Sequence, residues 1–330
     1  MFVNSALFRY SKIMERFQSK ENMEIKKIPH EVIETMTALQ KAGFEAYTVG
    51  GSVRDLLLGK IPKDWDVTTN ATPEEIRSIF PKTFYENEFF TVTVQTGSLE
   101  NSVKEIEVTT YRSEGKYEDK RHPSDIRPAQ TLEEDLARRD FTVNAIALDY
   151  KGNIIDPFDG QDDLHKKIIR AVGNPEERFE EDALRMMRAV RLASKLEFSI
   201  EEKTKKAIEK HAGLLRAISK ERIRDECMKI IADRNAMAGI QMFHELKLLQ
   251  YIMPELEHGI DVGQNKHHIY SVWEHNLRAL DYGAKENYSP LVRLAAMLHD
   301  VAKPHTKKGD GPDSTFYGHE VIGARMVAEI

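Results

Sequence analysis

The chain has 330 residues and a formal net charge of −6, so it is long enough for two or three domains and is not a globally basic nucleic-acid binder. Its one cysteine, Cys227, excludes an internal disulfide and suits a reducing, cytoplasmic setting. No apolar run approaches the ~20 residues that span a bilayer, so no membrane partner of the helical kind is expected. A mildly basic stretch between Gln161 and Ile240 interrupts an otherwise acidic chain, as suits a protein that meets RNA locally.

Residues 1–22 mix Arg9, Lys12 and Arg16 with aromatic residues but lack the long apolar core of a signal peptide. They read as a flexible N-terminal extension, with Met23 a second candidate start. Ile28 to Ala42 carries Val32, Ile33, Met36 and Leu39 at helical spacing and is closed by Gly43. Ala46 to Val49 is a short strand running into a glycine pair. Val53 to Leu58 is a helix stopped by Gly59, and Asp66 to Thr69 is strand again. Thr72 caps a helix with Pro73 at its first position. Thr91 to Val94 and Glu105 to Thr110 alternate as half-buried strands. Ser113 to Gln130 holds prolines and many charges without apolar period and reads as a mobile loop. After Pro157 the pattern is almost wholly helical. The expected fold class is therefore α+β: a small mixed-sheet head over 23–165, then helices, taken as a neck over 166–229 and a body over 230–330.

Three constellations carry chemistry. The first is Gly50-Gly51-Ser52-Val53-Arg54-Asp55 followed by Asp64-Trp65-Asp66. A glycine turn opening a helix presents bare N–H groups to phosphate, and Arg54 has the fork to meet a triphosphate. Asp64 and Asp66, two apart at a strand mouth, place both carboxylates on one face, where they can share Mg²⁺. Glu107 on the strand Ile106 to Thr110 is the natural third carboxylate. In isolation, Asp-x-Asp also reads as a solvated loop, Gly-Gly as a tight turn and Glu107 as a surface strand residue. The second is Arg138-Arg139-Asp140-Phe141-Thr142-Val143-Asn144-Ala145, where the arginines suit phosphate and Asn144 a sugar or a loop brace. The third is Glu181-Asp182-Ala183-Leu184-Arg185-Met186-Met187-Arg188. On one continuous helix, Glu181, Asp182, Arg185 and Arg188 share a face and can present donors and acceptors to a base edge. The plainer alternative is a salt-bridged surface helix.

In order and spacing these motifs, with Asp156-Pro157-Phe158-Asp159-Gly160, resemble the class II nucleotidyltransferases, and most closely the tRNA CCA-adding enzymes. The resemblance implies a polymerase beta-like palm as the head. It implies Asp64 and Asp66 as Mg²⁺ ligands, with Gly51, Arg54 and Arg139 on the triphosphate and sugar. It makes Asp182 and Arg185 the readers of an incoming C or A, with Arg188 and Arg191 completing the nucleotide pocket and Gly50 and Asn144 beside it. The loop Glu114 to Pro123 resembles the segment linked to the switch from CTP to ATP. One departure is Phe90, where family members often carry glycine.

The C-terminal part resembles the HD phosphohydrolase domain, through His275, His299-Asp300, Lys303-Pro304 and Gly318-His319-Glu320. Imidazoles with a carboxylate suit a divalent transition metal. The family's last Asp ligand is expected beyond Ile330, so the metal site reads as incomplete, and a scaffold role is the alternative. The function implied is template-independent addition of CCA to tRNA from CTP and ATP with release of pyrophosphate. The rivals are an A-adding tRNA nucleotidyltransferase or poly(A) polymerase, an HD-type phosphohydrolase acting on RNA ends, and an RNA-binding protein with an inactive head.

Overall fold

Alternating Thr/Val and Glu/Ile/Val strands need a surface to bury their apolar face, and in the computed structural model they find it in one seven-stranded sheet. The structure describes residues 28–86, 90–114, 126–265 and 268–330. The N-terminal extension and the loop read as a nucleotide switch lie outside these, apart from the strand end at Glu114. The chain divides into two compact units. One holds the head to Lys166 plus Arg170–Gly173; the other holds Lys167–Ile169 and everything from Asn174.

In the first unit, α1 (His30–Lys41) buries Val32, Met36 and Leu39 and leads into β1 (Ala46–Val49). Next come α2 (Gly51–Leu57), β2 (Asp66–Thr69), α3 (Pro73–Ile79), β3 (Thr83–Glu86), β4 (Thr91–Gln95) and β5 (Glu105–Thr110). A reciprocal capping box between Thr72 and Glu75 opens α3. A small hairpin of β6 (Arg112–Glu114) and β7 (Ile126–Pro128) precedes α4 (Leu132–Ala137). Then follow a 3₁₀ turn at Thr142–Asn144, β8 (Ala147–Leu148), β9 (Ile154–Ile155) and α5 (Gly160–Lys166).

The sheet order is β3-β4-β5-β2-β1-β8-β9. Only β2 and β5 run parallel; the other pairs are antiparallel. This register sets Asp66 opposite Val49 on one side and opposite Glu107 on the other. One core cluster gathers Val49, Tyr111, Leu132, Leu136, Ala145, Ala147 and Val172, so the site-bearing turns rest on a packed base. The helix at the glycine pair starts at Gly51, not Val53. Strands β8 and β9, two residues each, are too short for a periodic signal.

The second unit opens with β10 (Ile168–Ile169), which pairs in parallel with β11 (Ser199–Ile200). Its helices are α6 (Pro175–Glu181), α7 (Leu184–Leu196), α8 (Glu202–His211), α9 (Lys220–Ile231), α10 (Ala236–Glu245), α11 (Leu249–Ile252) and α12 (Pro254–Glu257). They continue as α13 (Val272–Lys285), α14 (Pro290–Leu298), α15 (Lys303–Thr306) and α16 (His319–Glu329). Met186, Met187, Ala189, Val190 and Ala193 line the buried side of α7. The expectation of one helix through 181–188 is corrected here. Asp182 adopts an extended conformation with φ −141° and ψ 104°, so α6 ends at Glu181 and α7 starts afresh at Leu184. The physical reason is local: the Asp182 carboxylate accepts from the Leu184 N–H at 3.1 Å, the usual aspartate competition with a helical backbone.

Candidate active site

In the head, the glycine turn is shaped by Gly50, whose φ of +78° is costly for any residue with a Cβ. A Cβ there would lie 2.9 Å from Arg139 Nη1 and 3.9 Å from Asp66 Oδ2. The backbone, the guanidinium and the carboxylate therefore meet at one point. Beneath the turn, Ser52 Oγ donates to the Val49 carbonyl at 3.0 Å and Thr48 Oγ1 donates to the Asp66 carbonyl at 3.1 Å. These bonds tie β1, α2 and β2 together.

Asp66 is paired in register with Glu107, and Asp64 precedes it by two residues across the buried Trp65. Burial pushes the Asp66 carboxyl up to about 6, with the Glu107 and Asp64 charges adding and Arg139 opposing. The oxygens of these three carboxylates do not all lie within 4.8 Å of one another, but an all-oxygen donor set of this kind is the one a hard divalent cation takes. Asp64 and Glu107 are exposed, so the site opens to solvent.

Arg139 is aimed by Asp135, which is fully buried on α4. Asp135 accepts from Arg138 Nη2 at 2.8 Å, from Arg139 Nη2 at 3.4 Å and from Thr68 Oγ1 at 3.2 Å. Burial alone would raise its pKa, but the Arg138 and Arg139 guanidiniums outweigh that and hold the carboxyl below its usual range. Arg139 Nε is buried with no hydrogen-bond partner, a donor left over at the site. Sequence reading missed Asp135; its only signal was the i,i+3 and i,i+4 spacing to the two arginines.

Arg54 turns inward. Its Nε and Nη2 meet Asp55 Oδ1 at 2.9 and 2.8 Å, and its Nη1 donates to Asn144 Oδ1 at 2.7 Å. Asn144 Nδ2 donates in turn to Asp140 Oδ1 at 3.2 Å. The fork expected on a triphosphate, and the amide expected on a sugar, are here a buried brace between α2 and the 142–144 turn. The Asp156 carboxylate caps α5 through the N–H groups of Gly160 and Gln161 at 2.7 and 2.8 Å. That carboxylate and Gly160, which packs on Thr142 and Ile146, give the 156–160 motif a structural role.

In the second unit, Glu181 pairs with Arg185 at 2.5 Å and with Arg178 at 2.5 Å. Asp182 Oδ2 accepts from Arg222 Nη2 on α9 at 2.8 Å. Arg185 is buried and also donates to the Arg178 carbonyl at 3.3 Å. A carboxylate and a guanidinium are thus held side by side, each fixed by an opposite charge. Arg188 lies one turn on and is partly exposed. Arg191 is held by the buried Glu226 on α9. Arg222 was not singled out from sequence, because nothing local marks a residue 40 positions from its partner.

The histidines of the C-terminal part come together around Asp300. His275 Nε2 lies 3.2 Å from His299 Nε2 and 3.3 Å from Asp300 Oδ2, and His299 Nε2 lies 3.1 Å from the same oxygen. His319 Nε2 reaches Asp300 Oδ1 at 3.3 Å. The Nδ1 atoms of His299 and His319 each face a backbone carbonyl at 2.7 Å, Ala296 and Phe316 respectively, which leaves the Nε2 atoms for the cluster. Lys303 Nζ, 2.7 Å from Asp300, is the resident cation. Together with His299 it holds the Asp300 carboxyl well below its usual range, overriding burial. Among the described residues, this is the one group of three whose candidate ligand atoms all lie within 4.8 Å of one another.

Residues 46–170 match the Poly A polymerase head domain, residues 197–260 the probable RNA and SrmB-binding site of polymerase A, and residues 268–330 the HD domain. The CCA-adding enzyme of Lactobacillus helveticus is 48% identical over 230 residues, covering 68% of this chain and 56% of that protein. That of Enterococcus faecalis is 47% identical over 242 residues, covering 72% and 58%. The chain thus spans a little over half the length of these curated relatives. Among solved structures, the Bacillus stearothermophilus CCA-adding enzyme in complex with CTP superposes with a TM-score of 0.64 at 36% identity, covering 81% of this chain and 65% of that one. A tRNA nucleotidyltransferase complexed with a primer tRNA and an ATP analog gives a TM-score of 0.62 at 26% identity, covering 80% and 75%. No helix among the described residues is long and apolar enough to cross a membrane. The chain belongs to the nucleotidyltransferase family that joins a poly A polymerase head to an RNA-binding segment and an HD domain.

Proposed function

We propose that the protein adds CMP and AMP from CTP and ATP to the 3′ end of tRNA without a template, completing CCA and releasing pyrophosphate. The observation that carries this reading is the meeting of Asp66, Arg139 and the Gly50 turn, with Glu107 in register beside them. Relatives near 48% identity are named CCA-adding enzymes, and structural neighbours hold CTP, an ATP analog or a primer tRNA.

In this reading Asp64, Asp66 and Glu107 hold Mg²⁺, the hard cation that all-oxygen donors favour. When bound it supplies charge neutralisation at the α-phosphate and a more acidic 3′-hydroxyl. Arg139 and the N–H groups of the glycine turn meet the triphosphate. Arg54 and Asn144 hold that turn rigid, and Gly50 lets the backbone approach. Asp182 and Arg185 read the base edge, with Glu181 and Arg222 fixing them and Arg188 and Arg191 supporting the pocket. The head is 23–165, the neck 166–229 and the body 230–330, and the cytoplasm is the working compartment.

The deciding assay offers each nucleotide alone to tRNA ending before the first C, before the second C and before the final A. CTP is expected to extend the first two and ATP the third, and Asp64→Ala is expected to abolish all three. An Asp64→Ala protein with wild-type incorporation overturns the site assignment, and use of ATP alone leaves an A-adding enzyme.

A second reading rests on the His275–His299–Asp300 cluster: a metal-dependent phosphohydrolase acting on RNA 3′ ends. Release of phosphate from a 3′-phosphorylated RNA, lost in Asp300→Ala and kept in Asp64→Ala, is its signature. Equal release by both variants overturns it.

A further inference from the structure

Between α2 and β2 the chain makes a short loop, Gly59 to Lys63, which ends beside Asp64. It is a built structure. The Gly59 N–H donates to the Leu56 carbonyl at 2.8 Å and the Lys60 N–H to the Asp55 carbonyl at 2.8 Å. With Gly59 at φ +73°, this is the Schellman closure of α2. Pro62 and Trp65 are buried and pin the far side of the loop. Between these anchors Ile61 stands 90% exposed, and Lys60 and Lys63 on either side of it are exposed too. Neither lysine forms an ion pair among the described residues, although the loop leads into the carboxylate cluster. Lys60 complements the C-terminal end of the α2 dipole, but an isoleucine held in water beside Lys63 and the carboxylates gains nothing for the fold.

We propose that this loop is the rest for the acceptor RNA strand: Lys60 and Lys63 hold backbone phosphates of its last nucleotides, and Ile61 packs against a terminal base. The inference rests on the transferase reading above. Three observations favour the RNA strand over the nucleoside triphosphate as occupant. Lys60 lies at the C-terminal end of α2, whereas the glycine turn and Arg139 lie at its start. Seven helical residues separate the two by roughly 10 Å. Phosphates of a strand repeat along a line, which suits two cations flanking an apolar side chain. The loop then delivers the strand into Asp64, which is itself exposed.

The test measures RNA affinity by fluorescence anisotropy of a labelled tRNA lacking its terminal CCA, across a salt series and with the whole protein. Michaelis constants for CTP and for RNA are measured in parallel. Changing Lys60 and Lys63 together to Ala is expected to weaken RNA binding about tenfold or more and to lower the salt slope by roughly 1 per lysine. Changing both to Arg should restore both. Ile61→Ala should weaken binding several-fold at an unchanged salt slope. The Michaelis constant for CTP should stay at the wild-type value in all three, and their melting temperatures should match wild type. Unchanged RNA affinity and salt slope in the double Ala variant overturns the proposal. So does a raised constant for CTP with RNA affinity intact, which would assign the lysines to the triphosphate. Wild-type protein that binds RNA through this loop but adds no nucleotide overturns the transferase reading instead.

Discussion

Asp66 and Glu107 stand opposite each other on the two strands of the sheet that run parallel, β2 and β5, so two carboxylates face one point with one nearby guanidinium to offset them. The Asp66 carboxyl is pushed up from 3.8 to about 6, first by burial and then by Glu107. A raised folded-state pKa in an acid means that the fold binds the proton more tightly than the unfolded chain. Stability of the metal-free protein therefore falls as pH rises from about 4 to about 6, by roughly 3 kcal/mol at most. Asp66→Asn should melt higher than wild type at pH 8 in chelator and equal to it at pH 4. Glu107→Gln should show part of the same gain. An Asp66→Asn protein that melts lower at pH 8 would contradict this account.

The glycine turn makes a sharper mutational contrast. Gly50→Ala places a methyl group 2.9 Å from Arg139 Nη1 at a φ of +78°, against a guanidinium already held by Asp135. With ψ at −133°, Gly50 lies close to a region of backbone space that is essentially glycine's alone, and the strain costs about 1–3 kcal/mol. Gly51 lies within α2 at an ordinary φ, and its Cβ would meet nothing nearer than Arg54 Nη2 at 3.5 Å. Gly50→Ala is expected to lower the melting temperature by several degrees and nucleotide incorporation by about a hundredfold or more, while Gly51→Ala leaves the melt near wild type. Equal melts for the two variants would refute the contrast.

Asp135 is the least conspicuous of the site residues in sequence and among the most consequential in the fold. Removing one partner of a buried ion pair strands the other, so Asp135→Asn is expected to cost about 3–5 kcal/mol. Its depressed pKa gives the sign with pH: the contribution is present above the ordinary aspartate range and is lost as pH falls through the lower folded value. Urea melts at pH 7 and pH 3 should show a large gap between wild type and variant at the first and a smaller one at the second.

The head was legible because its chemistry is local. Gly50-Gly51, Asp64-x-Asp66 and the β5 pattern around Glu107 each announce themselves within a few residues, and strand register alone brings them together. What stayed hidden depends on long-range partners. Nothing near Arg54 says that its fork closes on Asn144, 90 residues away, and nothing near Asp182 names Arg222. The break between α6 and α7 was missed because Leu184, Met187 and Val190 carry helical spacing, and Glu181 and Asp182 fit the same period on the opposite face. The aspartate's competing bond to the backbone outweighed that spacing.

Phe90, where the resemblance implies a glycine, has a backbone conformation that bears on that expectation. It sits at φ +53°, a left-handed position that glycine fills at no steric cost, while its carbonyl accepts from the Thr110 N–H at 3.1 Å. Phe90→Gly keeps that bond and relieves about 1 kcal/mol of strain, offset in part by lost burial and added chain entropy. The variant should be as stable as wild type or up to about 1 kcal/mol more stable in urea unfolding. A loss beyond about 1 kcal/mol would show that the ring's packing outweighs the strain.

The histidine cluster supports a prediction independent of the head. Two imidazole Nε2 atoms 3.2 Å apart, both within 3.3 Å of one carboxylate oxygen, favour a first-row transition ion over Mg²⁺ by donor type. That ion must share Asp300 with Lys303, whose Nζ is also held by Gln264 Oε1 at 2.8 Å. Calorimetric titration of chelator-treated protein with Mn²⁺, Ni²⁺ or Zn²⁺ should show binding that His275→Ala or Asp300→Ala weakens about tenfold or more. Asp64→Ala should leave it unchanged. Affinity should fall as the solution is made acidic, because the ion competes with protons for the imidazoles. Lys303→Gln removes the competing charge and should strengthen binding. Weaker binding in Lys303→Gln would mean that the lysine orders the carboxylate rather than opposing the ion.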